Sequence, residues 1–202
     1  MLDSLTRRAK DQLLTPLLQL VPSWLHPDLI TLASLPAGLA AAVLAGQGRP
    51  VGAVACFVLN RALDGLDGLL ARERGKQSDF GGYLDIMVDF VVYAAIPVGV
   101  WYGGGQAATV PLLLLLAVFY VNAASWMYLS ALLEKRGRAP SGSTSVTMPT
   151  GLVEGTETVV FFLLFLSLPG RAAVLFVTMA GATAIGIGQR LLWAARNLRR
   201  HR

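Results

Sequence analysis

Hydrophobic residues run through this chain in long blocks, broken by short polar clusters. A helix that crosses a bilayer needs roughly 20 mostly apolar residues. Six segments fit that pattern, at about 29–47, 51–72, 80–102, 109–133, 153–169 and 171–194. The fifth is short, and Pro169 and Gly170 mark its boundary with the sixth. Ahead of them, Leu2, Leu5, Ala9, Leu13, Leu17 and Leu20 recur at helical spacing, with Asp3, Arg7, Lys10 and Asp11 on the other side. That stripe predicts a helix lying in the membrane interface. Pro16 and Pro22 break this N-terminal stretch, which carries no visible cleavable signal peptide. The expected fold class is all-α: an integral membrane protein of six transmembrane helices plus an N-terminal interfacial amphipathic helix. A single domain is expected over residues 1–202, with 1–28 as the interfacial segment and 29–194 as the six-helix bundle.

Composition agrees. The chain is 54% hydrophobic and 14% charged, whereas a soluble domain carries about 25% charge. The formal net charge of +5 then reports topology and anionic headgroups rather than nucleic acid. Basic residues cluster at Arg7, Arg8 and Lys10, at Arg72, Arg74 and Lys76, at Lys135, Arg136 and Arg138, and from Arg190 to Arg202. With six spans all of these fall on one side, and only Arg49 and Arg171 face the other. The positive-inside bias places both termini in the cytoplasm. The longest polar loop, 134–151, is rich in Gly, Ser, Thr and Pro and lies on that side. The single cysteine, Cys56, excludes an internal disulfide, and His26 and His201 are too far apart in sequence to suggest a metal pair.

Four carboxylates break the apolar pattern: Asp64, Asp67, Asp85 and Asp89. An ionised side chain in hydrocarbon costs a few kcal/mol even on lenient scales, so each needs a reason. At about 1.5 Å per residue, the first two lie roughly 7–12 Å before Arg72 and the second two roughly 9–15 Å after Asp79. The second and third helices are expected to be antiparallel neighbours joined by a short cytoplasmic loop, so that all four carboxylates share one depth and aim at one point. The i,i+3 and i,i+4 spacings put each pair on one helix face. Four hard oxygen donors suit Mg²⁺, Mn²⁺ or Ca²⁺, and one or two such ions would relieve their repulsion. Gly68 and Gly81, on the carboxylate faces, leave room for a ligand, and Arg72 is placed to meet a phosphate. Arg74 and Lys76 read as ordinary positive-inside charges, and Gly82 as helix packing.

The spacing D-x2-D-G-x2-A-R-x8-G-x3-D-x3-D is met here by Asp64, Asp67, Gly68, Ala71, Arg72, Gly81, Asp85 and Asp89. It resembles the signature of the CDP-alcohol phosphotransferase (CDP-alcohol phosphatidyltransferase) family of integral membrane enzymes. Residues 27–31, PDLIT, are similar to a Pro-Asn-x-x-Thr pattern that opens the first span in this family, with Asp28 where asparagine is common. The resemblance implies transfer of a substituted phosphate from a CDP-alcohol, most often CDP-diacylglycerol in bacteria, to an acceptor hydroxyl, with release of CMP. It implies Mg²⁺ or Mn²⁺ as cofactor, two divalent ions, with Asp64, Asp67, Asp85 and Asp89 as ligands and Asp89 also as base. Asp67, Gly68, Ala71, Arg72, Ser78, Gly81 and Thr31 would bind the CDP part. It further implies a homodimer in the bacterial inner membrane, with the site on the cytoplasmic side.

The acceptor is less defined. Glu154 and Glu157 open the fifth span at i,i+3, and Arg190 lies well inside the sixth. These three are the candidate acceptor-binding residues, the carboxylates favouring an amine or polyol over a phosphorylated alcohol. Acidic residues also suit a helix N-terminus as caps, and both readings stand. LNRALDGLDG with GLVEGTET resembles a bacterial inner-membrane subgroup of the same family. Two rival functions are weaker. An intramembrane prenyltransferase needs two Asp-rich motifs and about nine spans. A divalent-cation transporter leaves Ala71, Arg72 and the glycines without a task.

Overall fold

The computed structural model describes residues 15, 16, 18, 21–104, 106–137 and 153–198. The expected interfacial helix falls mostly outside these residues, as does most of the 134–151 loop. Among the described residues there are helices and turns and no strand. Six α-helices occupy the six expected positions: α1 (Pro27–Gly46), α2 (Pro50–Glu73), α3 (Asp79–Tyr102), α4 (Thr109–Lys135), α5 (Gly155–Ser167) and α6 (Ala172–Leu198). Short 3-10 turns, Gln106–Ala108 and Pro169–Arg171, lead into α4 and α6.

Four of these helices are long and apolar enough to cross a membrane: α1, α3, and α4 and α6 with their leading turns. α2 has the length, at 24 residues, but Arg61, Asp64, Asp67, Arg72 and Glu73 make it too polar to qualify by hydropathy. α5 has only 13 residues. Length and hydropathy alone thus establish four spans rather than six, because the residues that make α2 interesting also hide it.

Local sequence explains the helix ends. Pro27 and Pro50 start α1 and α2, where a missing N–H is harmless. Ser78 N-caps α3, its Oγ accepting from the Gly81 N–H at 3.0 Å. Gly75, at φ 60°, lets the chain leave α2 and turn back toward α3.

The packing departs from the simplest expectation in one respect. α2 and α3 are consecutive, yet their backbones do not pack closely together; α1 packs along both of them. The α1–α3 contact depends on missing side chains. A Cβ at Gly99 would lie 2.2 Å from the Ala42 carbonyl oxygen, and one at Gly103 would lie 2.2 Å from that of Ala45. Gly99 and Gly103 form a small-xxx-small pair that brings two membrane helices into backbone contact. α4 and α6 form a second pair. α5 joins the two groups through a run of aromatic rings: Phe57 to Phe162 at 5.7 Å, Phe162 to Phe165 at 5.4 Å, and Phe165 edge-on to Phe176 at 4.9 Å. Tyr93 of α3 meets Phe162 at 5.3 Å. The α2–α3 gap is bridged by polar side chains, and these form the site.

Candidate active site

Asp67 is the most enclosed of the four motif carboxylates, 5% exposed. Its Oδ2 accepts from the Thr31 hydroxyl of α1, which is itself buried. Thr31 was expected to bind CDP. Its hydroxyl donates to Asp67 and orients that carboxylate, because PDLIT opens a helix that packs along α2. Two turns earlier in α2, Asn60 is fully buried and donates to the Ser34 carbonyl at 2.8 Å. These two bonds pin the carboxylate face of α2 to α1.

Asp64 and Asp89 are partly open, with 18% and 24% of their side chains exposed. Asp85 faces Asp64 across the gap and feels the charges of Asp64, Asp89 and Asp67. The carboxylates of the two helices thus act on one another even though α2 and α3 are not packed partners. A fifth charge, which the spacing motif does not contain, lies among them. Arg61 of α2 reaches Asp89 Oδ1 through Nη2 at 2.7 Å and places Nη1 3.7 Å from Asp64 Oδ1. Its i,i+3 spacing to Asp64 was the available signal.

Among the described residues no three carboxylate, imidazole or thiolate groups are arranged about a common point as metal ligands. The carboxylates of α2 and α3 come close enough to act on one another, and Arg61 stands between Asp64 and Asp89. The donor set still suits a divalent cation. One guanidinium cannot balance four carboxylates at membrane depth, and carboxylate oxygen is the donor that Mg²⁺ and Mn²⁺ prefer.

The cradle residues behave as their sizes require. Arg72 Nη1 lies 3.3 Å from where a Gly68 Cβ would stand, so Gly68 makes room for the guanidinium. A Cβ at Gly81 would meet Asp28 Oδ1 at 3.0 Å and Ser78 Oγ at 3.1 Å. Asp28 thus adds a carboxylate to this edge, beside His26 Nδ1 at 3.3 Å. Ala71 is half-buried on α2. A Cβ at Gly82 would meet nothing within 4 Å among the described residues, so the packing expected of it is not seen there. Arg74 is more than a topological charge. Its guanidinium donates to the carbonyls of Val21 at 2.7 Å and Pro22 at 2.9 Å, tying the chain before α1 to the end of α2.

The acceptor candidates separate. Glu154 and Glu157 form a capping box at the start of α5. The Glu157 carboxylate accepts from the Glu154 N–H at 3.1 Å, so the capping reading describes Glu157. Arg190 of α6 is 8% exposed. Its Nη1 donates to Asn122 Oδ1 at 3.0 Å, while its buried Nε has no hydrogen-bond partner among the described residues. Glu154 is near enough to act on it electrostatically.

Comparisons with known proteins agree with this geometry. Over residues 24–188 the chain matches the CDP-alcohol phosphatidyltransferase family. It is 36% identical over 140 residues to the inner membrane protein YnjF of Escherichia coli, covering 68% of each chain. It is 37% identical over 76 residues to the CDP-diacylglycerol–serine O-phosphatidyltransferase of Mycobacterium bovis, covering 38% of this chain and 27% of that protein. The structure of Mycobacterium tuberculosis phosphatidylinositol phosphate synthase with manganese and citrate superposes with a TM-score of 0.71 at 23% identity, covering 96% of this chain and 93% of that one. The same enzyme with CDP-DAG bound gives 0.68 at 24% identity, covering 92% of each chain. At these identities the structural likeness is one of fold. The extent of the family match, with the identity to the inner membrane protein, decides membership: the chain belongs to the CDP-alcohol phosphatidyltransferase family of enzymes.

Proposed function

We propose that this protein transfers a phosphatidyl group from CDP-diacylglycerol to the hydroxyl of a small polar acceptor, releasing CMP, in phospholipid biosynthesis. The four aspartates on the facing sides of the α2–α3 gap carry this reading. Asp64, Asp67 and Asp85 would hold divalent metal, Mg²⁺ or Mn²⁺, with Asp89 near a second ion. Metal bound there neutralises the diphosphate and the departing CMP. A relative of the same fold with bound manganese and one with bound CDP-DAG support the assignment.

The chain's own residues supply the remaining steps. Gly68 and Gly81 let the diphosphate approach the backbone, and Arg72 meets a phosphate oxygen. Asp89 accepts the acceptor's hydroxyl proton as that oxygen attacks the β-phosphorus, and the bond to the CMP oxygen breaks. Thr31 contributes by fixing Asp67, and Ser78 by capping α3 beside Gly81. Ala71 keeps the wall between Asp67 and Arg72 small.

Arg190 would contact the acceptor. A buried guanidinium with one N–H unpaired among the described residues, balanced by Glu154, suits a hydroxyl-rich or zwitterionic acceptor better than a second dianion. All six helices cross the bacterial inner membrane in this reading, with termini and site cytoplasmic and the chain a homodimer. The fixed cation Arg61 among the carboxylates, together with family membership, leaves the transporter alternative without support.

The test is CMP release by the purified protein in lipid with CDP-diacylglycerol and Mg²⁺. The acceptor panel would be serine, ethanolamine, glycerol, inositol, glycerol 3-phosphate and inositol phosphate. Release that requires one acceptor and vanishes in Asp89→Asn is the expected result. Preference for a phosphorylated acceptor would overturn the reading of Arg190. Undiminished release in Asp89→Asn would remove that residue as base.

A further inference from the structure

Arg61 belongs to no part of the spaced motif, yet its side chain is held from several directions. Nε donates to Asn60 Oδ1 at 2.9 Å, and Asn60 is itself bonded to the Ser34 carbonyl of α1. Nη1 donates to the Tyr93 hydroxyl at 3.3 Å, and that hydroxyl also hydrogen-bonds to Asp89. The guanidinium carbon lies 5.7 Å from the Phe57 ring centre and 5.5 Å from that of Tyr93. The side chain is 12% exposed. Arginine, with its planar fork of donors, can meet these partners at once; a lysine has the charge without the fork.

What this cage presents is a fixed contact to one oxygen of Asp89, at 2.7 Å to Oδ1. A carboxylate among others of like charge, left alone, would turn toward any divalent ion bound beside it. Arg61 opposes that pull and defines where the second oxygen points. We propose that Arg61 is a positioning residue that holds Asp89 through Oδ1 so that Oδ2 is presented to the acceptor hydroxyl, and whose charge keeps Asp89 from being drawn wholly into the metal site. The inference rests on the function proposed above.

The experiment compares wild type with Arg61→Met and Arg61→Lys in lipid, using two readouts. One is the steady-state kinetics of CMP release; the other is Mn²⁺ binding by electron paramagnetic resonance, which needs no turnover. In Arg61→Met, kcat is expected to fall about tenfold or more, with KM for CDP-diacylglycerol within about twofold. Mn²⁺ affinity is expected to rise several-fold, because a competing cation has gone. Arg61→Lys is expected to restore the Mn²⁺ affinity and part of kcat. A purely structural Arg61 would lower yield or thermal midpoint while leaving kcat and Mn²⁺ affinity unchanged, and that result overturns the inference. So does a raised KM at intact kcat, which would make Arg61 a substrate ligand. If Arg61→Met does not fold, Tyr93→Phe decides: it keeps the ring and removes the hydroxyl that joins Arg61 to Asp89. A smaller kcat loss at unchanged KM then supports the inference, and unchanged kcat overturns it. Absence of CMP release from the wild-type chain would overturn the proposed function, and this inference with it. Release from wild type with Arg61→Met unaffected would overturn this inference alone.

Discussion

Single residues in this protein divide by what their side chains already hold. Asp67 is buried and oriented by Thr31, so its rotamer is set before any ligand arrives. Asp67→Ala is expected to abolish metal-dependent binding of CDP; calorimetric titration with CDP and Mn²⁺ that returns wild-type affinity would remove Asp67 from the metal set. Glu157 has its carboxylate committed to the α5 cap. Glu157→Ala should cost about 1 kcal/mol of stability, with acceptor preference unchanged, and Glu157→Gln should be close to neutral because glutamine closes the same box. A new acceptor preference in Glu157→Gln would return that carboxylate to the acceptor-binding residues. The sequence made the four aspartates conspicuous, since each is costly where it lies. It made Arg61 inconspicuous, since an arginine three residues before an aspartate is an ordinary helix pair on any surface. Only its partner on α3 separates the two cases. Thr31 was visible as a site residue but not its task, which depends on which helix α1 lies against.

Helix existence was legible nearly throughout, because apolar blocks of the right length have few alternatives in a membrane. Helix adjacency was not. Consecutive helices joined by a short turn suggest direct packing, yet α1 lies along both α2 and α3 while those two stand apart. The reason is the Gly99–Gly103 pair against Ala42 and Ala45, a pattern visible in the sequence whose partner helix is not. Gly99→Ala puts a methyl 2.2 Å from a carbonyl oxygen and is expected to destabilise by about 1–3 kcal/mol. Gly82→Ala, with nothing among the described residues within 4 Å of the new methyl, should stay within about 0.5 kcal/mol. Thermal unfolding of the two variants in one detergent measures the difference; equal midpoints would mean that the α1–α3 contact is not the one described.

At the scale of the whole molecule, two helix groups are joined through α5 and its aromatic rings. With 13 residues, α5 rises only about 20 Å, while a hydrocarbon core is about 30 Å thick. If α5 crosses the bilayer, as proposed, lipid next to a helix that short would have to thin or water follow it inward, at the end where Glu154 acts on Arg190. The protein would then carry a private depression in the membrane surface, through which a water-soluble alcohol descends to a lipid-soluble donor that never leaves its leaflet. Turnover should accordingly depend on bilayer thickness, falling in vesicles of long-chain phosphatidylcholine and recovering in shorter-chain ones at equal headgroup composition. A rate indifferent to acyl length would mean that the surrounding helices, not the lipid, make up the missing depth.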